Sequence, residues 1–162
     1  MSQKKPLTLQ GYRTLLAEHD QLSRVERPKV VQGVSNAAAE GDRSENAEYI
    51  YGRKRLREID KRLAYLASLL KDVDIIDPAQ LFGDKVVFGA TVVIEEDGGK
   101  VKKWQIVGEG ESDSAAGTIS WKSPMGRALI NKRVGDVVTV ERPAGELEVE
   151  VKELWFGPRR IT

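Results

Sequence analysis

The chain has 162 residues, 40% hydrophobic and 31% charged, with a formal net charge of +1. Without cysteine it can have no disulfide, thiolate nucleophile or zinc–cysteine site, and its single histidine, His19, excludes a multi-histidine metal centre. The low apolar and high charged shares suit a surface-rich shape, such as a helical hairpin joined to a small compact domain. The opening "MSQKKPLTLQG" has no apolar run after its lysines, so a secretory signal is not expected. No stretch approaches the roughly 18–20 apolar residues of a membrane helix. The expectation is a cytoplasmic monomer that does not use a membrane.

Residues from about Thr8 to Asp74 read as helix. In the second half Tyr49, Gly52, Leu56, Ile59, Leu63, Leu66, Leu70 and Val73 step alternately by three and four, the heptad seam of a coiled coil. Its flanks are charged, with pairs such as Glu58 and Arg62 expected along the helix. In the first half Tyr12, Leu15, His19 and Leu22 keep the spacing, and Val30, Val34, Ala37 and Gly41 resume it in a shifted frame. Pro28 lies at the shift and is expected to bend or interrupt the helix, because it donates no backbone hydrogen bond. A short link then makes the helices antiparallel neighbours.

Beyond Pro78 and Gly83 the pattern turns to strands. "KVVFGATVVIEE" and "KVKKWQIVGE" flank the turn Asp97-Gly98-Gly99, a hairpin signal. "GTISW" reads as a third strand, and "SPMGRALINK" as a short helix capped by Ser123 with Pro124 at its first position. "DVVTVERP" and "GELEVEVKELWF" form a last hairpin around Pro143-Ala144-Gly145, and the tail "GPRRIT" is expected to be loose. The whole is a two-domain chain, with a coiled-coil hairpin over 1–77 and an α+β domain with an antiparallel sheet over 78–162. Phe88, Trp104, Trp121 and Trp155 lie in or beside strand patterns, where core or interface packing is the favoured role.

The link between the helices, "EGDRSENAEY", concentrates acids at the far end of the hairpin. Helix capping accounts for part of it. Gly41 can end one helix in the left-handed conformation, Ser44 can cap the next, and Glu48 favours the positive end of its dipole. Alternatively, Asp42 and Glu45 present carboxylates to something outside the chain. Hard cations such as Mg²⁺ take oxygen ligands, but two carboxylates on a convex tip need a partner to supply the rest. The basic run "GRKRLREIDKR" follows, with Arg53, Arg57 and Lys61 spaced i, i+4, i+8, and Lys54 beside them. A solvated coiled-coil flank explains most of these charges, and a nucleic-acid backbone would explain the excess of cations. Residue physics leaves both readings open.

The segment "GDRSENAEYIYGRKRLREIDKRLAYL" resembles the hairpin tip and second helix of the bacterial Gre transcript cleavage factors. "SPMGRALINKRVGDVVTVERPAGELEVEV" resembles their C-terminal domain, and the similarity runs in order over nearly the whole chain. Arg43 and the basic run resemble the GreB type more than the GreA type. The resemblance implies an FKBP-like C-terminal domain that binds RNA polymerase, and a coiled coil that enters the polymerase's secondary channel. It implies that Asp42 and Glu45, with Ser44 in support, help hold a Mg²⁺ ion shared with the polymerase. RNA extruded by backtracking is then cut near its 3′ end. Arg53, Lys54, Arg57 and Lys61 would guide that RNA, and Lys122, Ser123 and Pro124 would lie at the polymerase contact. The factor would act as a stimulator and not as an enzyme by itself.

This chain departs from the family pattern at two points. Lys122 stands where GreB-type proteins carry an acid implicated in docking, and Glu40 where an apolar or neutral residue is commoner. Three other readings remain: a non-cleaving channel binder that inhibits or tunes the polymerase, a free-standing metal-dependent nuclease, and a simple nucleic-acid-binding coiled coil.

Overall fold

The computed structural model describes residues 4–41 and 46–161. The chain divides into two compact units, Arg13–Lys71 and the pair Met1–Tyr12 with Asp72–Thr162. This differs from a sequential cut at 77/78. The reason is a parallel ladder between β1 (Lys5–Thr8) and β2 (Val73–Ile76), which pairs Lys5 with Val73 and Thr8 with Ile76. The N-terminal strand thereby joins the C-terminal residues. Helix also stops earlier than Asp74. Val73, the last heptad position, lies in β2, after Asp72 has taken a positive φ of 53°.

The hairpin unit is built from α1 (Leu9–Gln21), which begins just before it, α2 (Arg27–Ala39) and α3 (Ala47–Leu70). Between α1 and α2 lies one π-helical turn, Leu22–Glu26, where the Arg27 N–H donates to Leu22 O. Pro28 accounts for it: with no N–H it cannot donate to Arg24 O, and the ladder widens by one residue instead of breaking. The expected interruption thus takes the form of a π-bulge. Along α3 the seam is as the heptads require. Gly52, Ile59 and Leu66 are buried and Leu56 and Leu63 half-buried, except that Leu69 and not Leu70 is buried at the end.

Three ion pairs join the two arms, and from Glu18 to Glu26 the partners step back along α3 from Arg62 to Arg55, as antiparallel helices require. Arg62 pairs with Glu18 at 2.6 Å, Arg55 with Glu26, and Arg27 with Asp60 at 2.7 Å. The expected Glu58–Arg62 pair does not form, because Arg62 reaches across to Glu18 and Glu58 is taken by Arg55 at 3.4 Å. Near the loop the helices approach closely. A Cβ on Gly52 would sit 2.5 Å from Val34 Cγ2, whereas one on Gly33 would meet nothing within 4 Å.

The second unit holds a six-stranded sheet. Five strands run in the order β5 (Thr118–Ser120), β4 (Val101–Val107), β3 (Thr91–Glu96), β7 (Gly145–Phe156) and β6 (Val137–Arg142). β8 (Arg159–Ile161) pairs with the end of β7. Residues 159–161 of the tail expected to be loose are therefore strand, and Arg159 also donates to Ala79 O at 3.2 Å and to Leu81 O. The sheet is antiparallel except for β4 and β5, which pair in parallel. Residues 85–90, expected as strand, precede β3 as turn and coil, with Val86 and Ala90 buried. On β7 the buried Val149, Val151, Leu154 and Phe156 step by two, three and two. Val93 pairs with Glu153 and Ile94 with Val151, leaving Lys152 as the extra residue of a bulge. α4 (Pro124–Leu129) contributes the buried Leu129 to the core, and Trp104 and Trp121 pack against it half-buried.

Opposite signs follow from the two hairpin glycines. Gly33→Ala should raise hairpin stability by up to about 1 kcal/mol, the helix-propensity gain. Gly52→Ala should lower it by about 1–3 kcal/mol through overpacking against Val34. Chemical denaturation of both variants checks this. A pH dependence follows from the cross-helix pairs. Hydrogen bonds from Arg62 and Arg27 hold Glu18 and Asp60 below the ordinary carboxylate range, against partial desolvation. Their stabilisation is present above the unfolded carboxylate value and is lost as pH falls through the lowered one. Helical melting followed by circular dichroism should be steady at neutral pH and decline below about pH 5. Salt should reduce that decline, because the pairs are exposed.

Candidate functional site

α2 ends at Ala39, and Glu40, exposed, donates its N–H to Ala37 O at 3.2 Å. Gly41 follows with φ 149°, a conformation that glycine tolerates best. Asp42, Ser44 and Glu45, the residues singled out at the tip, lie outside the described residues, as does Arg43. The helix beyond them is capped by Asn46 and starts at Ala47, not at a Ser44-capped Glu45. Asn46 Oδ1 accepts from the Tyr49 N–H at 3.1 Å, and its Nδ2 donates to Ala37 O at 2.8 Å. One side chain thus caps the start of α3 and satisfies a carbonyl at the end of α2. An Asn immediately before the helical period was the sequence signal for this role. Glu48 sits exposed in the first turn of α3, at the positive end of the helix dipole.

The basic residues of α3 fall into two sets. Arg55 and Arg62 pair across the hairpin, so hydrogen bonds to Glu26 and Glu18 hold their guanidinium pKa values above the usual value. Arg53, Lys54, Arg57 and Lys61 are exposed and make no ion pair with a described residue. Arg53 donates to Tyr49 Oη at 3.2 Å and lies 5.8 Å from the centroid of its ring. At 100° per residue, Arg53, Arg57 and Lys61 fall about 100°, 140° and 180° around α3 from Gly52 on the seam. They form one continuous stripe that the partner helix leaves open.

In the sheet unit, Lys122, Ser123 and Pro124 come together at the start of α4. Ser123 Oγ accepts from the Gly126 N–H at 3.1 Å and donates to Ser120 O at 2.6 Å, and Pro124 takes the first helical position. Both residues act as expected in building the helix start. Lys122 is exposed, pairs with Glu109 and lies 5.5 Å from the Trp121 ring centroid. Its hydrogen bond holds the Glu109 carboxyl below the ordinary range, opposed by partial burial and aided by the charge of Lys5. Glu109 was not marked by the sequence, because nothing local distinguishes it from other surface acids. Phe88 and Trp155 are half-buried, with Lys103 5.7 Å from the Trp155 ring centroid. Among the described residues no helix is long and apolar enough to cross a membrane.

Two family models cover the chain. One described as "Transcription elongation factor, N-terminal" matches residues 5–75, and one described as "Transcription elongation factor, GreA/GreB, C-term" matches residues 81–156. The chain is 47% identical over 158 residues to transcription elongation factor GreB of Yersinia pestis, covering 98% of this chain and 92% of that protein. It is 45% identical to GreB of Pasteurella multocida (strain Pm70), covering 96% and 99%. It is 43% identical to transcription elongation factor GreA of Alkalilimnicola ehrlichii, covering 95% and 99%. With both halves matched and relatives aligned nearly end to end, the chain belongs to the GreA/GreB family of transcription elongation factors.

Proposed function

We propose that this protein stimulates endonucleolytic cleavage of the RNA 3′ end in backtracked complexes of bacterial RNA polymerase, and so rescues arrested elongation. The hairpin enters the polymerase's secondary channel, and the sheet unit docks outside it. The observation that carries this reading is the division of charge on α3. Arg55 and Arg62 are used in cross-helix pairs, while Arg53, Lys54, Arg57 and Lys61 stay open on the helix that begins just after the acidic tip. A stripe of unpaired cations beside carboxylates suits a phosphodiester chain brought to a cleavage site.

The donor chemistry at the tip fits a shared hard cation. Asp42 and Glu45 offer carboxylate oxygens, the ligand type Mg²⁺ prefers, and two of them leave most of an octahedral shell to be supplied by the polymerase. Among the described residues no group of three or more His, Cys, Asp or Glu could hold a metal alone. When bound, the shared ion supplies activation of water and charge stabilisation at the scissile phosphate. The chain's own part is positional. Asn46 ties the ends of α2 and α3 together, next in sequence to Asp42, Ser44 and Glu45. Ser44 offers a hydroxyl for hydrogen bonding beside the two acids. Arg53, Lys54, Arg57 and Lys61 hold successive phosphates of the extruded strand. Lys122 is the exposed group at the docking end, with Ser123 and Pro124 fixing the α4 start beside it. The factor completes a site on another protein and is not an enzyme by itself.

A stalled, backtracked elongation complex with 3′-labelled RNA and Mg²⁺ tests this. Wild-type protein should release short 3′ fragments. The Asp42→Ala, Glu45→Ala double variant should slow release at saturation by about a hundredfold, the scale of lost transition-state stabilisation. If neither protein cuts but both slow the polymerase, the factor is a non-cleaving channel binder. Cutting of RNA by the protein and Mg²⁺ alone would make it a nuclease instead. For the stripe, Arg57→Ala with Lys61→Ala should weaken cleavage most at low salt. Loss of two contacts should reduce the magnitude of the log–log salt slope by about 1.4 for single-stranded RNA. An unchanged slope would remove the stripe from the RNA path.

A further inference from the structure

The start of α1 is capped by a residue far away in sequence. Thr8, the last residue of β1, accepts on Oγ1 from the Gly11 N–H at 3.0 Å, which makes it the N-cap of α1. In an ordinary capping box the side chain three residues on would return to the N-cap N–H. That residue here is Gly11, which has no side chain. Glu111, in the turn after β4, takes the role instead. It accepts from the Thr8 N–H at 3.0 Å and from the Thr8 hydroxyl, and also from the Gly108 N–H at 2.8 Å.

The surroundings are shaped to this carboxylate. A Cβ on Gly11 would collide with Glu111 Oε1. A Cβ on Gly108 would collide with Pro6 O and lie 2.9 Å from Glu111 Oε2. Thr8 is 3% exposed, the one fully buried polar or charged residue among those described. Moving the first turn of α1 away from the β4 turn would strand the Thr8 N–H and hydroxyl and the Gly108 N–H together. Buried donors left unsatisfied in this way are costly.

We infer that Glu111 is a positioning residue for the cleavage-stimulating activity: it completes a split capping box that pins the N-terminus of α1, the helix that leads into the hairpin. This rests on the function proposed above, in which carboxylates at the hairpin tip must reach a reacting phosphate with ångström accuracy. Misplacement by about 1 Å can cost a hundredfold in rate. Glu111 touches neither RNA nor metal and acts only through Thr8, Gly108 and α1.

The test combines amide hydrogen exchange in the free full-length factor with cleavage in backtracked complexes. Glu111→Gln replaces one acceptor oxygen by a donor, and Gly11→Ala displaces the carboxylate while keeping it in the chain. Each should speed exchange at the Thr8 and Gly108 amides about tenfold, the scale of one charge-assisted hydrogen bond. Each should also lower cleavage at saturating factor about tenfold with the half-saturating concentration unchanged. Thr8→Ser, which keeps the hydroxyl, and Gly33→Ala, which adds a methyl in open space, should retain both properties. If Glu111→Gln does not fold, Gly11→Ala carries the comparison. Unchanged exchange in the variants would overturn the clamp, and raised exchange with full cleavage at saturation would overturn its positioning role. A wild-type protein that never stimulates cleavage would overturn the function proposed above, while the exchange data would still decide the clamp.

Discussion

The parallel ladder of β1 and β2 holds side by side the two points at which the chain leaves and re-enters the sheet-bearing unit. Everything from Arg13 to Lys71 is an excursion between them, and its ends must meet. Closing so long a loop carries an entropic cost that rises only slowly with length, so a few backbone bonds and a buried Leu7 at 2% exposure can hold it. Lys5 adds a backbone bond to Asp72 O at 3.0 Å, at the residue whose positive φ turns the chain out of α3. Glu111 secures the opposite end of β1 through Thr8.

Within the hairpin, packing and charge divide the work. Close approach at Gly52 and Ala37 brings the helices together near the loop, where Ala37 is 1% exposed. Toward the base, larger residues such as Ile59 and Leu66 fill the seam. The three cross-helix ion pairs lie at the surface, where solvent screening leaves each only a small contribution to stability. Their larger consequence is register: Glu18–Arg62, Glu26–Arg55 and Arg27–Asp60 penalise sliding by a turn, because each displaced cation would face the wrong partner. With those cations so engaged, Arg53, Lys54, Arg57 and Lys61 are left exposed on α3 without an ion pair to a described residue. The π-bulge at Leu22–Glu26 lets a proline sit in the first arm without breaking it.

Lys122 illustrates how a charge can be absorbed locally. Standing beside the start of α4, it is engaged by Glu109 and the Trp121 ring, so the surface there presents an ion pair and not an isolated cation. Ser123 and Pro124 are occupied in forming the helix start, which sets the geometry on which Lys122 is displayed.

What the sequence alone determined were the features that rest on local periodicity and turn chemistry. The heptads from Gly52 to Leu66, the Asp97–Gly99 turn, the Ser123–Pro124 helix start and the β6–β7 hairpin are all written within a few residues of themselves, and the structure has them. The basic run was legible for the same reason, as exposed charge needs no partner to be noticed. Only tertiary structure decided which cations are taken by cross-helix ion pairs, because pairing Arg62 with Glu18 instead of Glu58 depends on a helix reached after a reversal of the chain. The β1–β2 ladder, the strand at Arg159–Ile161 and the parallel pairing of β5 were likewise hidden, since short strands carry little alternation and gain their hydrogen bonds from distant segments. The split capping box shows this most plainly. Gly11 offers no capping signal of its own, and the carboxylate that fills its place comes from Glu111, which only the fold brings to Thr8.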